Sequence, residues 1–316
     1  MMIIKTFLKS VLIFIAGTLL NFSAIAGDYP NKPIKLYIGF KAGGGTDTVG
    51  RVLAKVMSKE LGQQVQVVNR PGAGGCVAAM QVAKMKADGY SLVMDPSSSI
   101  TWAPHTNSKC KLKVSDLDYL GTIAQFNFGF VSHVSAPYNS IEEFISWAKG
   151  KTVSYVLLSP GAKALMKYIA AEKNLDVNYV PAKGGADMIN LILGKQVDMS
   201  FSGGIHTRHP DKIKLIASVA SYRHKAAPNI RTLKESGINL EAGAYHTVAG
   251  PKGLPASIVS KIEAAMKVAS QDATMKDISN KTKFPIAYNN AKDTLVEMQA
   301  QWKSYEELTR ITGKGN

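Results

Sequence analysis

The chain has 316 residues, 46% of them hydrophobic and 19% charged, with a formal net charge of +15. That length holds one large or two ordinary domains, and the composition excludes a low-complexity or disordered chain. Two cysteines exclude a disulfide scaffold. The basic residues are scattered, without blocks or interleaved aromatics, which argues against a nucleic-acid surface and favours small anions.

The first segment reads as a processing signal. Lys5 and Lys9 supply a positive start, Val11 to Leu20 is an uncharged apolar run, and Ser23-Ala24-Ile25-Ala26 offers the small residues of a cleavage site after Ala26. The run is shorter than the ~20 residues a membrane span needs, and no cysteine follows it to carry a lipid. Cleavage removes Lys5 and Lys9, so the charge falls from +15 to +13, and the mature chain is expected to be soluble and exported. Cys76 and Cys110 would then meet an oxidising compartment, either paired or as two buried thiols.

Short β-branched runs predict strands over 34–40, 65–69, 91–95, 127–132, 153–158, 177–180, 197–201 and 214–220. Amphipathic spacing predicts helices over 48–61, 77–85, 141–149, 164–174 and 188–193. This alternation predicts an α/β fold of doubly wound, parallel sheets with helices on both faces. The connection over 96–118 is weakly patterned and takes no assignment. Beyond Pro255 the pattern is helical alone, over 258–269, 273–280 and 293–312, with Leu295, Met298, Trp302, Tyr305 and Leu308 at helical spacing as a packing surface.

Open α/β sheets bind ligands beyond the carboxyl ends of their strands, so the strand-to-helix turns carry the functional signal. In "YIGFKAGGGTDTVGRVLAKVM" the bare Gly43, Gly44 and Gly45 let a ligand reach backbone N–H groups at a helix start, a site for carboxylate or phosphate. The same turn also serves as a plain connection with Thr46 or Asp47 as helix cap. No Lys-Ser or Lys-Thr follows these glycines, so the turn is not a P-loop. A third glycine and a ribose-binding acid after Asn69 are also missing, so it is not a dinucleotide fingerprint. A second turn, "NRPGAGGCVAA", repeats the arrangement around Ala73, Gly74 and Gly75. "LSPGAK" and "VPAKGGADM" follow later strands, where Lys163 and Lys183 either balance a further anionic group or are simply solvated.

Enzyme constellations are weak. His206 and His209 lack completing ligands and read as solvated. Ser159 is outside a nucleophile elbow. Asp198, entering a strand, reads as a hydrogen-bonding or capping acid. No catalytic residue, metal or cofactor is expected.

These residues resemble a known family. The stretch "YPNKPIKLYIGFKAGGGTDTVGRVLAKVMSKELGQQVQVVNRPGAGG" is similar to the start of the Bug family, the periplasmic solute receptors of tripartite tricarboxylate transporters. "ADGYSLVM", "VPAKGGADMINLILGKQVDMSF", "KIKLIASVASYRHKAAPNIRTLKESGI" and "AGPKGLPASIVSKIEAAM" follow in family order and extend the resemblance over nearly the whole mature chain.

The resemblance implies a two-domain, type II (Venus-flytrap) periplasmic binding protein with C-terminal helices. Domain 1 would be residues 27–125 plus 246–316 and domain 2 residues 126–245. It also implies a monomer that closes over a small organic carboxylate in a Gram-negative periplasm and delivers it to membrane transporter subunits or a membrane sensor. Family contacts carry over to Phe40, Ala42, Gly43, Gly44, Gly45, Thr46, Asp47, Ala73, Gly74 and Gly75, and to Lys183, Gly184 and Gly185. "YVLLSPGAK" aligns its glycine with either of two in the family turn, and offers Ser159, Gly161 and Ala162. The chain departs from the family pattern at Lys41, an added charge in the first turn. Cys76 stands where asparagine is common, Ala182 where tyrosine is, and Ser202 where aspartate often is. The competing class is an exported hydrolase or transferase acting on an anionic substrate.

Overall fold

The computed structural model describes residues 29–157, 160–182 and 185–312. The leader read over residues 1–26 lies outside them, as do Ser159, Lys183 and Gly184. Eleven strands are described in chain order: β1 (Ile34–Ile38), β2 (Val65–Asn69), β3 (Ser91–Pro96), β4 (Leu117–Gln125), β5 (Gly129–His133), β6 (Thr152–Leu157), β7 (Asp176–Pro181), β8 (Met199–Ser202), β9 (Ile213–Ser218), β10 (Tyr245–Pro251) and β11 (Ile286–Asn289). The helices are α1 (Gly45–Leu61), α2 (Cys76–Ala83), α3 (Ser97–Thr101), α4 (Ala103–Thr106), α5 (Ile141–Ala148), α6 (Pro160–Lys173), α7 (Gly185–Leu193), α8 (Ala256–Gln271), α9 (Ala273–Thr282) and α10 (Ala291–Thr312).

The strands form two sheets, ordered β11-β4-β10-β3-β1-β2 and β7-β6-β8-β5-β9. Both are mixed rather than parallel, which corrects the sequence expectation. β1 runs parallel to β2 and β3, and β6 parallel to β7 and β8, whereas β10 and β11 are antiparallel within the first sheet and β5 within the second. The parallel strands are those that feed helices, so their carboxyl ends carry the glycine turns. The chain passes between the sheets from β4 to β5 and from β9 to β10.

Each sheet is packed on both faces. In β1, Ile34, Leu36 and Ile38 join Leu53 and Met57 of α1 and Ile262 and Met266 of α8, while Tyr37 faces Ala78 and Val82 of α2 across the sheet. Strand alternation and the helical spacing of α1 thus meet in one apolar layer. The second sheet is covered likewise, by Phe144, Leu165 and Ile169 against Phe130 and Tyr155, and by Met188 and Ile192 against Val131 and Val156. Cys76 and Cys110 form a disulfide with Cα atoms 5.9 Å apart, which resolves the pair-or-thiols alternative and ties the start of α2 to the connection after α4.

The chain crosses from the first sheet to the second between Gln125 and Gly129, and enters the first again at Tyr245. The two crossings lie side by side: the Phe126 N–H donates to the Ala244 carbonyl at 2.8 Å. Helix α10 straps both lobes. Its early residue Met298 packs with the first lobe, whereas Tyr305 and Leu308 enter the core of the second, and the Tyr305 hydroxyl donates to the Gly243 carbonyl at 3.1 Å. Leu295, expected to pack, is 40% exposed. Among the described residues, no helix is long and apolar enough to cross a membrane.

Candidate functional site

The two glycine turns of the first lobe lie beside each other because β1 and β2 are neighbours. After β1 the chain bends through Gly39 and Phe40 and enters α1 from Gly44, an extended residue with no side-chain cap, rather than from Thr46 or Asp47 as expected. Lys41, Ala42, Gly43, Gly44 and Gly45 are exposed, whereas Thr46 and Asp47 are buried.

Asp47 is turned into the turn. Its carboxylate accepts from the Gly43 N–H at 2.9 Å, the Arg51 Nε at 2.9 Å and the Asn69 Nδ2 at 2.8 Å, and that amide also donates to the Phe40 carbonyl at 3.0 Å. Burial alone would raise the Asp47 pKa; the bonds from Arg51, Asn69 and Gly43 outweigh it and hold the group below the ordinary carboxylate range. Asp47 therefore shapes the glycine turn from within, and Asn69 and Arg51 complete a network that the sequence reading missed.

In the second turn, Ala73, Gly74 and Gly75 all have positive φ, at 48°, 70° and 96°. The Ser99 hydroxyl donates to the Gly74 carbonyl at 2.6 Å. A Cβ on Gly75 would lie 2.5 Å from Ser99 Oγ and 2.8 Å from the Phe40 ring, so Phe40 packs directly onto the second turn. A Cβ on Gly39 would collide with the Gly75 carbonyl and with Asp95 Oδ2. Beneath this contact Asp95 is fully buried, with Oδ1 accepting from the Gly39 N–H at 2.7 Å and Oδ2 without a partner among the described residues. Burial pushes its pKa well above the ordinary carboxylate value, so the turns rest on an acid that favours its protonated form.

A cavity of about 560 Å³ lies between the lobes. Ala73, Gly74, Trp102, Thr106 and Asn107 line it from the first lobe, and Phe128, Gly161, Ala162 and Phe201 from the second. Trp102 stacks on Tyr305 at 4.4 Å, and a Cβ on Gly161 would lie 2.7 Å from its ring, so the indole fits only against glycine at the start of α6. Its Nε1–H is buried and has no partner among the described residues. A donor in this state is rare in a folded protein and marks a place where an acceptor belongs.

The cavity thus brings together four of the residues carried over from the resemblance: Ala73, Gly74, Gly161 and Ala162. The first turn does not line it and reaches it only through Phe40 and Gly75. Ser202 is fully buried; its hydroxyl lies 2.8 Å from His206 Nδ1 and accepts from the Gly204 N–H at 3.2 Å. Gly185 opens α7, where a Cβ would come 3.3 Å from Ile205. Lys163 lies over the Tyr179 ring at 5.7 Å.

His206, read as solvated, is instead 5% exposed and stacked with His224 at 5.9 Å. Burial, with His224 adding to it, pushes its pKa down to about 3. Asp198 has the hydrogen-bonding role expected of it, accepting from the Ser154 N–H at 2.8 Å and the Ser154 hydroxyl at 2.7 Å. Among the described residues, no group of three or more His, Cys, Asp or Glu side chains is placed to hold a metal ion.

Known proteins share this architecture. The family model for the tripartite tricarboxylate transporter family receptor matches residues 49–313. A Cupriavidus necator protein, the UPF0065 protein in the gbd 5' region, is 32% identical over 252 residues, spanning 78% of this chain and 77% of the relative. A TctC solute-binding protein from Polaromonas, solved without ligand, superposes with a TM-score of 0.81 at 25% identity, covering 89% of this chain and 99% of the other. The Rhodopseudomonas palustris protein MatC, solved with bound malate, superposes with a TM-score of 0.68 at 22% identity, covering 89% and 99%. The chain belongs to the tripartite tricarboxylate transporter receptor family.

Proposed function

We propose that this chain is a periplasmic solute receptor that holds a small organic carboxylate in the interlobe cavity and hands it to membrane transporter subunits or a membrane sensor. The observation that carries the reading is the interlobe cavity in which Ala73 and Gly74 of the second glycine turn face Gly161 and Ala162 of the other lobe, beside Trp102, whose Nε1–H is buried without a partner among the described residues. An indole N–H and open backbone N–H groups suit a carboxylate, which accepts several hydrogen bonds at once. The malate bound to MatC is a carboxylate of this size. The basic balance of the chain favours anion capture.

Two domains, residues 27–125 plus 246–316 and residues 126–245, close around the ligand as a monomer, with Tyr305 and Leu308 of α10 resting on the second domain. Closure follows from linkage: a ligand touching both lobes stabilises the arrangement in which both reach it. Phe40, Gly43, Gly44 and Gly45 are assigned to the rim of the closed site, Gly75 to the wall behind Gly74, and Asp47 to positioning the first turn; Lys183 and Gly184 are assigned as ligand contacts on the family resemblance. The leader is removed after Ala26. No covalent step is needed, so the receptor returns its ligand unchanged.

Native mass spectrometry of gently purified mature protein tests this. One retained carboxylate per chain, released unaltered on denaturation, is the expected result. Conversion of that acid to a product would overturn the receptor reading in favour of an exported hydrolase or transferase.

A further inference from the structure

A second cavity, of about 470 Å³, opens to solvent between the lobes beside α9. Lys276 and Ser279 of α9 and Lys283 just beyond it line one side, Thr207 and Lys225 of the second lobe the other, and Asn127 of the crossover lies between them. A row of rings, Phe284, Phe126, Phe128 and Phe201, with successive centroids 4.8, 5.6 and 5.1 Å apart, runs from beside Lys283 to the wall of the Trp102 cavity. The two hollows share no lining residue.

Two independent features mark this chamber. None of its lining residues is acidic, and among the described residues Lys225, Lys276 and Lys283 enter no ion pair, whereas the neighbouring Lys281 is paired with Asp277 at 2.7 Å. Three cations around one hollow, with no counter-charge in its walls, attract and retain a multiply charged anion. The second feature is Asn127, 3% exposed, whose amide nitrogen donates to the Lys283 carbonyl at 2.6 Å. That bond fixes which way the amide faces. Its Oδ1 is left buried and without a donor among the described residues. A bare anion satisfies the lysines but not this oxygen, and an anion that also carries an O–H satisfies both.

We propose that the chamber is a second anion site, distinct from the carboxylate cleft, for a small anion of two or more charges that bears a hydroxyl or acid O–H. Phosphate species and hydroxy-dicarboxylates share that chemistry. Lysine ammonium groups hold the charged oxygens, and the ligand O–H donates to Asn127 Oδ1; the Thr207 and Ser279 hydroxyls already donate to the Gly204 and Phe284 carbonyls, both at 2.7 Å. Because the walls come from both lobes and from the crossover, an occupant braces the junction about which the lobes move.

Titration calorimetry on the purified mature chain at fixed ionic strength tests this with two matched pairs, inorganic phosphate against sulfate and tartronate against malonate. Each pair differs by an O–H at similar size and charge. One saturable site per chain is expected, at least tenfold tighter for the hydroxyl-bearing member of a pair. The better of phosphate and tartronate names the source. In Lys225→Ala/Lys276→Ala, two exposed positions outside the Trp102 cavity, that binding should fall at least tenfold while the thermal midpoint holds. No saturable binding of any of the four, binding unchanged in the double variant, or sulfate and malonate equal to their partners would each overturn the proposal. The reading of the carboxylate cleft is untouched by those results, since neither lysine lines it.

Discussion

Trp102→Phe separates ligand binding from folding at one atom. The replacement keeps an aromatic ring against Tyr305, where the stacked rings lie 4.4 Å apart, and deletes the Nε1–H. That N–H has no partner among the described residues, so its loss removes a buried, unsatisfied donor and offsets part of the apolar area lost with the larger ring. A hydrogen bond to a charged carboxylate contributes about 1.5–3 kcal/mol, which corresponds to a loss of roughly 10- to 150-fold in affinity. Stability should meanwhile change by about 1 kcal/mol or less. Calorimetry with the retained carboxylate reads the first quantity and urea unfolding the second. Affinity within about threefold of the native value would refute the assignment of Trp102 as a ligand donor. A stability loss of several kcal/mol would show that the indole serves the core instead.

Gly75→Ala should destabilise by about 2–5 kcal/mol, from positive-φ strain together with overpacking against Ser99 and Phe40, whereas Gly62→Ala, at φ 67° with open space around it, should cost only about 1–2 kcal/mol; equal losses in urea unfolding would contradict the packing of the second turn. Asp95 has a raised folded pKa, so the unfolded chain releases its proton first and stability falls as pH rises above the ordinary carboxylate value. Asp95→Asn should therefore match or exceed the native chain at pH 8, with the gap closing below about pH 4; a variant clearly weaker at pH 8 would refute this. His206 and His246 are held near 3 by burial while unfolded histidine titrates near 6.5, so stability should be lost as pH falls between those values, and replacing both with neutral residues should flatten that slope. Lys41, exposed in the first turn, should favour a second carboxylate: Lys41→Ala should weaken a dicarboxylate more than a monocarboxylate, and equal loss would reject the charge role.

Much of the fold was legible because its parallel strands are short β-branched runs bounded by turn residues. β1, β2, β3, β6 and β7 emerge within two residues of the expected bounds. β5, β8 and β9 do so as well, whereas β4, β10 and β11 took no assignment from the sequence. β4 is interrupted by Gly121, β10 combines His246, Gly250 and Pro251, and β11 has four residues in a region whose periodicity is otherwise helical. The unassigned connection over 96–118 hid α3, α4 and Trp102, since the indole is placed by partners far away in the chain, Gly161 and Tyr305.

The glycine turns were visible because only glycine suits their backbone and their close contacts, as at Gly75. What the sequence could not reveal is which face of a turn meets ligand. Asp47 looks like a site residue in line with Gly43–Gly45, yet its carboxylate is bonded by Gly43, Arg51 and Asn69. His206 looks solvated in "HTRHP", yet the fold buries it against Ser202 and His224.

The crystal structure of the mature chain with its retained acid tests the central claim most directly. The account expects one carboxylate group accepting from Trp102 Nε1 and from the backbone of the Ala73–Gly75 turn, with the start of α6 closing over it. An acid bound elsewhere, with the Trp102 N–H still unpaired, or a chemically altered molecule in the cavity, would contradict it.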